Sequence, residues 1–246
     1  MRNLLYFLFL GLFTGCHTIR NAPDDLSHIQ LGERSGVYHS LSDTLTNQNS
    51  FLILSVNNHN SVVIKSLGRT GEQDTILFSG QFGRIAPMSG ICLIDMQGST
   101  VGKIESSDQN TIRIRLDRFA QIIHFIRVPN GLPEKYWKLV SLYTELPEKD
   151  SRISIEPHMI LKSGDARANG HLGCNRFFGE YRITGANTLV FGSIATTRMA
   201  CLEMQTEDLF LQALHDARIF LMKGDTLWLK NSQTLPVARF EAVYLE

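Results

Sequence analysis

Residues 111–116 read TIRIRL. Ile112 and Ile114 alternate with Arg113 and Arg115, a period of two that sends the isoleucines to one face and the arginines to the other. A segment of that kind is a strand with one buried face. Outward from it, residues 51–56, 62–67, 75–79 and 91–96 are short apolar runs of strand length, separated by breaks at Asn57-Asn58, Gly68 to Gly71 and Gln97-Gly98. No convincing helix lies between them. Strands at this spacing from Val37 to Val128 predict an antiparallel barrel or sandwich.

Residues 128–135, VPNGLPEK, place two prolines and a glycine between apolar segments and mark a domain boundary. Beyond it come YWKLVSLY, the strand-like ISIEPHMILK, then ANGHLGCNRFFGEYRI and NTLVFGSI. Phe210, Ala213, Leu214 and Ala217 stand at i, i+3, i+4 and i+7, with Thr206 as a candidate cap and Glu207 and Asp208 set against the helix dipole. A hairpin around Lys223-Gly224-Asp225 and a closing strand, VARFEAVYL, follow. Strands, one helix and a hairpin predict an α+β domain, an antiparallel sheet with one helix. The whole is mainly β with minor α, in two domains, 36–130 and 136–246.

The chain opens MRNLLYFLFLGLFTGC: Arg2, an apolar run from Leu4 to Phe13, then Thr14 and Gly15 before Cys16. This is signal-peptide anatomy, and a run of roughly ten apolar residues falls short of the roughly twenty a spanning helix needs. Phe13-Thr14-Gly15-Cys16 resembles the bacterial lipobox, with Phe13 in place of the more usual Leu. The resemblance implies a signal peptide at 1–15, cleavage before Cys16, a diacylglyceryl thioether and acylated amino terminus on that residue, and a lipidated tether at 16–35. His17 rather than Asp after the cysteine implies the outer membrane. Two or three acyl chains, at about 0.8 kcal/mol per buried methylene, anchor stably. Lys plus Arg and Asp plus Glu number 24 each, so no bulk field favours nucleic acid, which the export signal also excludes.

Trp137-Lys138-Leu139, GHLGCNRFFGEY at 170–181, Ala195-Thr196-Thr197-Arg198-Met199-Ala200-Cys201 and the helix after it together resemble the META (HslJ-like) family. The resemblance runs over residues 136–246. Gly36-Val37-Tyr38 and Gly80-Gln81-Phe82 resemble the N-terminal domain of the NlpE family, linked to copper tolerance and envelope stress signalling. That implies a lipocalin-like barrel at 36–130. The family's Cys-x-x-Cys pair is missing, because Asp43 and Thr46 stand in its place, so a thiolate copper site does not carry over.

With Cys16 lipidated, three cysteines remain. Cys174 and Cys201 sit in the two META-like segments and are candidates for a disulfide, whose loop of about 28 residues would contribute on the order of 3 kcal/mol; the alternative is two buried thiols. Cys92, among Ile91, Leu93 and Ile94, reads as a core residue. The eight histidines show no ligand spacing, and no metal or other cofactor is expected. His39 with Asp43 is a conceivable metal pair, set against a solvated turn. No G-x-S-x-G elbow occurs, and His171 before Cys174 lies in a turn-like segment rather than a thiol site, so no catalytic residue is assigned. Asn175 suits a left-handed turn, and Arg198 a tie to carbonyls or to Glu180. Phe177, Phe178, Tyr181, Phe191, Phe210 and Phe220 read as core. The expectation is a lipid-anchored, non-enzymatic envelope protein that binds or senses in stress tolerance. Its partners are the membrane, through Cys16, and envelope proteins. The alternative is a lipocalin-like carrier of a small apolar ligand.

Overall fold

The computed structural model describes residues 35–41, 51–67, 73–84, 90–108, 110–118, 121–143, 155–200 and 204–244. Within them the chain builds two closed antiparallel barrels of eight strands each. The first comprises β1 (Gly36–Ser40), β2 (Leu52–Val56), β3 (Ser61–Ser66), β4 (Thr75–Gly83), β5 (Cys92–Asp95), β6 (Thr100–Ser107), β7 (Thr111–Leu116) and β8 (Ile122–Arg127). Each pairs with the next, and β1 closes on β8 with His39 opposite Ile126.

Local polar chemistry sets several hairpins. Asn57 Oδ1 accepts the amides of His59 and Ser61 at 2.9 Å each, and Asp95 Oδ1 those of Gln97 at 3.0 Å and Ser99 at 2.8 Å. Asp108 and Asn231 repeat the device. A short side-chain acceptor that captures amides two and three or four residues on turns the chain back without a strand partner. Tyr38, Leu52, Leu54, Ile64, Phe78, Phe82, Leu93, Ile112, Ile114, Ile123 and Phe125 fill the lumen from alternate positions. Cys92 is a buried thiol on β5, as its apolar neighbours predict. β4 and β5 approach so closely that a Cβ on Gly80 would stand 2.1 Å from the carbonyl oxygen of Ile94.

The second barrel comprises β9 (Tyr136–Leu142), β10 (His158–Lys162), β11 (Arg167–His171), β12 (Arg176–Gly185), β13 (Thr188–Thr196), α1 (Gln205–Asp216), β14 (Ile219–Lys223), β15 (Thr226–Lys230) and β16 (Pro236–Val243). The expected sheet closes on itself, β16 pairing β9 from Ala238↔Leu142 to Val243↔Tyr136. Register shifts in the β12–β13, β15–β16 and β16–β9 pairs supply the local bends closure requires. The weakest joint is β13 to β14, with Thr188↔Ile219 as its single paired position. The helix lies between these two strands in sequence and sets Phe210, Ala213 and Leu214 into the core beside Phe177 and Phe240. Its N-cap is Met204, without a side-chain hydrogen bond, so Thr206 is inside the first turn rather than capping it.

Residues 128–135 are pinned at both ends. The Val128 amide donates to Val37 O at 2.8 Å, and buried Trp137 donates its Nε1–H to Leu132 O at 2.8 Å. Glu134 accepts from Lys162 Nζ at 2.8 Å and from the Ser163 amide at 2.9 Å. Outer-wall residues of the first barrel, Phe51, Ile53, Ile126 and Val128, join Leu132 and the second barrel's interior in one continuous apolar cluster.

Candidate functional site

Asn175 organises the polar centre of the second barrel. Its amide donates to Glu207 Oε2 at 2.9 Å, and its Nδ2 donates to Glu207 Oε1 at 3.1 Å and to Met199 O at 3.3 Å. Its Oδ1 accepts from Thr197 Oγ1 at 2.8 Å and from the Met199 amide at 2.7 Å, while its carbonyl accepts the Leu172 amide at 2.8 Å. One buried side chain thus fastens the 172–176 turn, the segment after β13 and the start of α1. The left-handed residue of the turn is Gly173, at φ 115°, not Asn175. Glu207 points inward and is buried, so its carboxylate meets Asn175 as well as the helix N-terminus.

Arg198 is exposed, and Glu180 pairs with Arg167 at 3.9 Å instead. The sequence identified Asn175 but not its partner, which lies 32 residues away. The Cys174 sulfur is engaged in a disulfide and sits 3.7 Å from the Met199 carbonyl oxygen. Its expected partner, Cys201, lies outside the described residues. Buried His171 accepts the Gly173 amide at Nδ1, 3.2 Å away, which fixes its neutral tautomer with the proton on Nε2. Burial first, then the neighbouring His158 and Arg176, hold its pKa below the ordinary value against the pull of Glu207. Of the six aromatic residues read as core, Phe178 is the exception at 55% exposed.

The second polar centre joins the barrels. His39 leaves β1 on the outer wall of the first barrel and is fully buried. Its Nδ1 accepts the Ile183 amide of β12 at 3.2 Å. The ring meets Phe51 edge-on at 5.0 Å and Tyr181 at 5.4 Å, and the Arg182 guanidinium lies 4.7 Å over the Phe51 ring. Burial, then Arg182, push the imidazole pKa down to about 3, so this histidine is neutral at pH 7. His39 Nε2 and Tyr181 Oη are buried and have no hydrogen-bond partner among the described residues. Burial raises the Tyr181 pKa, with Glu134 and Asp165 adding to the effect. Asp43, the other half of the conceivable metal pair, lies outside the described residues, as does Cys16. Among the described residues no group of three or more His, Cys, Asp or Glu could hold a metal ion, and no helix is long and apolar enough to cross a membrane.

A half-open cleft of about 260 Å³ notches the first barrel where β5 stops short, lined by Leu77, Phe78, Val101 and Leu116 with Asp95 and Arg118 also in its wall.

Residues 130–244 match the META domain family. None of the curated proteins matches the chain. Solved structures similar to part of it include an NMR structure of a protein from Burkholderia xenovorans, 26% identical over 46% of this chain and 85% of that one, with a TM-score of 0.38. A second NMR structure is 20% identical over 47% and 96%, with a TM-score of 0.38. A crystal structure of a DUF4847 family protein from Bacteroides vulgatus is 13% identical over 47% and 97%, with a TM-score of 0.36. The second barrel, with its Asn175-centred network, is a META domain spanning residues 130–244.

Proposed function

We propose that this chain is a lipid-anchored envelope protein, attached to the outer membrane through Cys16, whose two barrels form a non-enzymatic binding or sensing module in envelope stress tolerance. The observation that carries the binding part is that both barrels are filled by their own side chains. Asn175, Glu207 and His39 meanwhile use their hydrogen bonds to hold neighbouring elements together. Recognition then belongs to the outer surfaces, and envelope proteins are the partners. The anchor rests on the lipobox-like sequence alone. Cys174 pairs with Cys201 in this reading, which suits an oxidising compartment.

Metabolic labelling with palmitate tests the anchor: wild type takes up label and Cys16→Ala does not. Label retained by the variant, or a mature amino terminus elsewhere, overturns it. Peptide mapping of the same protein without reductant should recover Cys174 joined to Cys201. Crosslinked pulldown, comparing wild type with Cys16→Ala on a soluble-export signal, tests whether anchoring matters; equal recovery of the same partners would sink that part.

The carrier reading would use the cleft beside β5. At about 260 Å³ it falls just below the roughly 300–1,000 Å³ of ordinary ligand pockets.

A further inference from the structure

We propose that the seam between the two barrels is an acid-operated latch, in which protonation of His39 releases the outer wall of the first barrel from β12 of the META domain. The geometry begins with an incomplete sheet edge. β11 pairs β12 only as far as Arg167↔Glu180, so among the described residues Tyr181 to Gly185 have β13 on one side and no strand of their own barrel on the other. The Tyr181 amide finds the Ala166 carbonyl at 2.9 Å. Two residues on, the Ile183 amide finds His39 Nδ1, 3.2 Å away on the other barrel. An imidazole lone pair stands where a strand carbonyl would be.

That substitution makes the edge contact titratable. Protonation turns Nδ1 from acceptor to donor, so two N–H groups confront each other in a site with no exposure. It also sets a second cation beside Arg182. β12 presents Arg182 and Tyr181 to the ring, and Phe51, just before β2, and Ile53 on it face the ring from the first barrel. β8 presents Ile126 opposite His39, while its Arg127 donates to Ser35 O at 2.6 Å. The carboxylates of Glu134 and Asp165 act on Tyr181 and not on His39. The Glu134 carboxylate is in any case held by Lys162 and Ser163. Among the described residues no carboxylate offsets the new charge.

The sign follows from linkage. His39 has a pKa of about 3 when latched and the ordinary 6.5 when released to water. The latch is therefore fully formed above pH 6.5, and its closed-to-open ratio falls about tenfold per pH unit below that, until pH nears 3. Opening bares the apolar residues of the seam. This deepens the sensing reading and rests on it for the use made of the motion. The motion itself is a property of the folded chain without its lipid, so the two can fail separately.

Amide hydrogen exchange on the soluble mature chain reads the opening directly. Corrected for intrinsic rates, Ile183 protection should fall about 15-fold between pH 6.5 and pH 5, while Ile114 in the first lumen and Leu227 in the second stay protected. His39→Asn keeps an acceptor near Nδ1 without a titrating proton, and should abolish the pH dependence at Ile183. Three results would each overturn the latch: unchanged Ile183 protection in wild type, an equal loss in His39→Asn, or Ile114 and Leu227 losing protection in step. The wild-type measurement stands even where the variant does not fold.

Discussion

At the scale of single residues, Asn175 works through complete satisfaction. Its amide, its carbonyl and both ends of its side chain are all matched, and its partner Glu207 is a carboxylate shut away from water. Removing the side chain leaves the backbone amide on Glu207 Oε2 but takes the donor from Oε1 and the acceptor from Thr197 and the Met199 amide, so Asn175→Ala should lower stability by about 2–3 kcal/mol. In urea unfolding the midpoint should drop with the slope unchanged. Asn175→Ala combined with Glu207→Leu should cost clearly less than the sum of the two single changes, because the second removes the buried oxygen whose donor the first takes away. Additivity would show that the pair is not coupled. The importance of Asn175 was legible in the sequence because an Asn beside Gly and Cys in a polar turn has few other uses. Its partner was not, because Glu207 in a first helical turn already has a sufficient local explanation in the helix dipole. Only the fold shows that the carboxylate also faces a second, buried donor set.

At the scale of elements, strand pairing in both barrels depends on glycines that occupy the room a side chain would need. A Cβ on Gly170 would lie 2.0 Å from the His158 carbonyl oxygen, and the obstacle is backbone. The only relief is to part β10 from β11. Gly170→Ala should therefore cost about 1–3 kcal/mol, as overpacking does. Gly164 lies in the turn between the same two strands, and a Cβ there would meet nothing within 4 Å. Gly164→Ala should stay within about 0.5 kcal/mol of wild type. Urea unfolding of the two variants side by side separates close approach from a generic glycine effect, and equal losses would refute the close-approach account. Strands such as β7 were legible in sequence because one face meets the lumen and the other water. β8, IIHFIR, was not picked out, because Ile123 and Phe125 face the lumen while Ile126 faces the other barrel, which erases the alternation. Closure of the second sheet was invisible for another reason: the register shifts that bend it arise from pairing between strands, not from a pattern within one.

At the scale of the whole molecule, the sequence marks 128–135 as a boundary by its prolines and glycine, a signal that normally accompanies loosely joined domains. The structure instead pins that segment by hydrogen bonds and fuses Phe51, Ile53, Ile126 and Val128 with the META core. The hint was present in doubly apolar stretches such as LIL at 52–54 and FIRV at 125–128, which a free-standing barrel would have no reason to keep. Two barrels that share buried apolar surface lose that contribution together, so at pH 7 calorimetry should give one cooperative transition. Ile53→Asn puts a polar amide into the apolar seam without touching either lumen. It should divide the melt into two transitions, one for each barrel. Lowering the pH to 5 should move wild type in the same direction through His39, and leave His39→Asn with a single transition. Two transitions in wild type at pH 7 would mean that the seam contributes too little to couple the barrels, and that the latch has nothing to release.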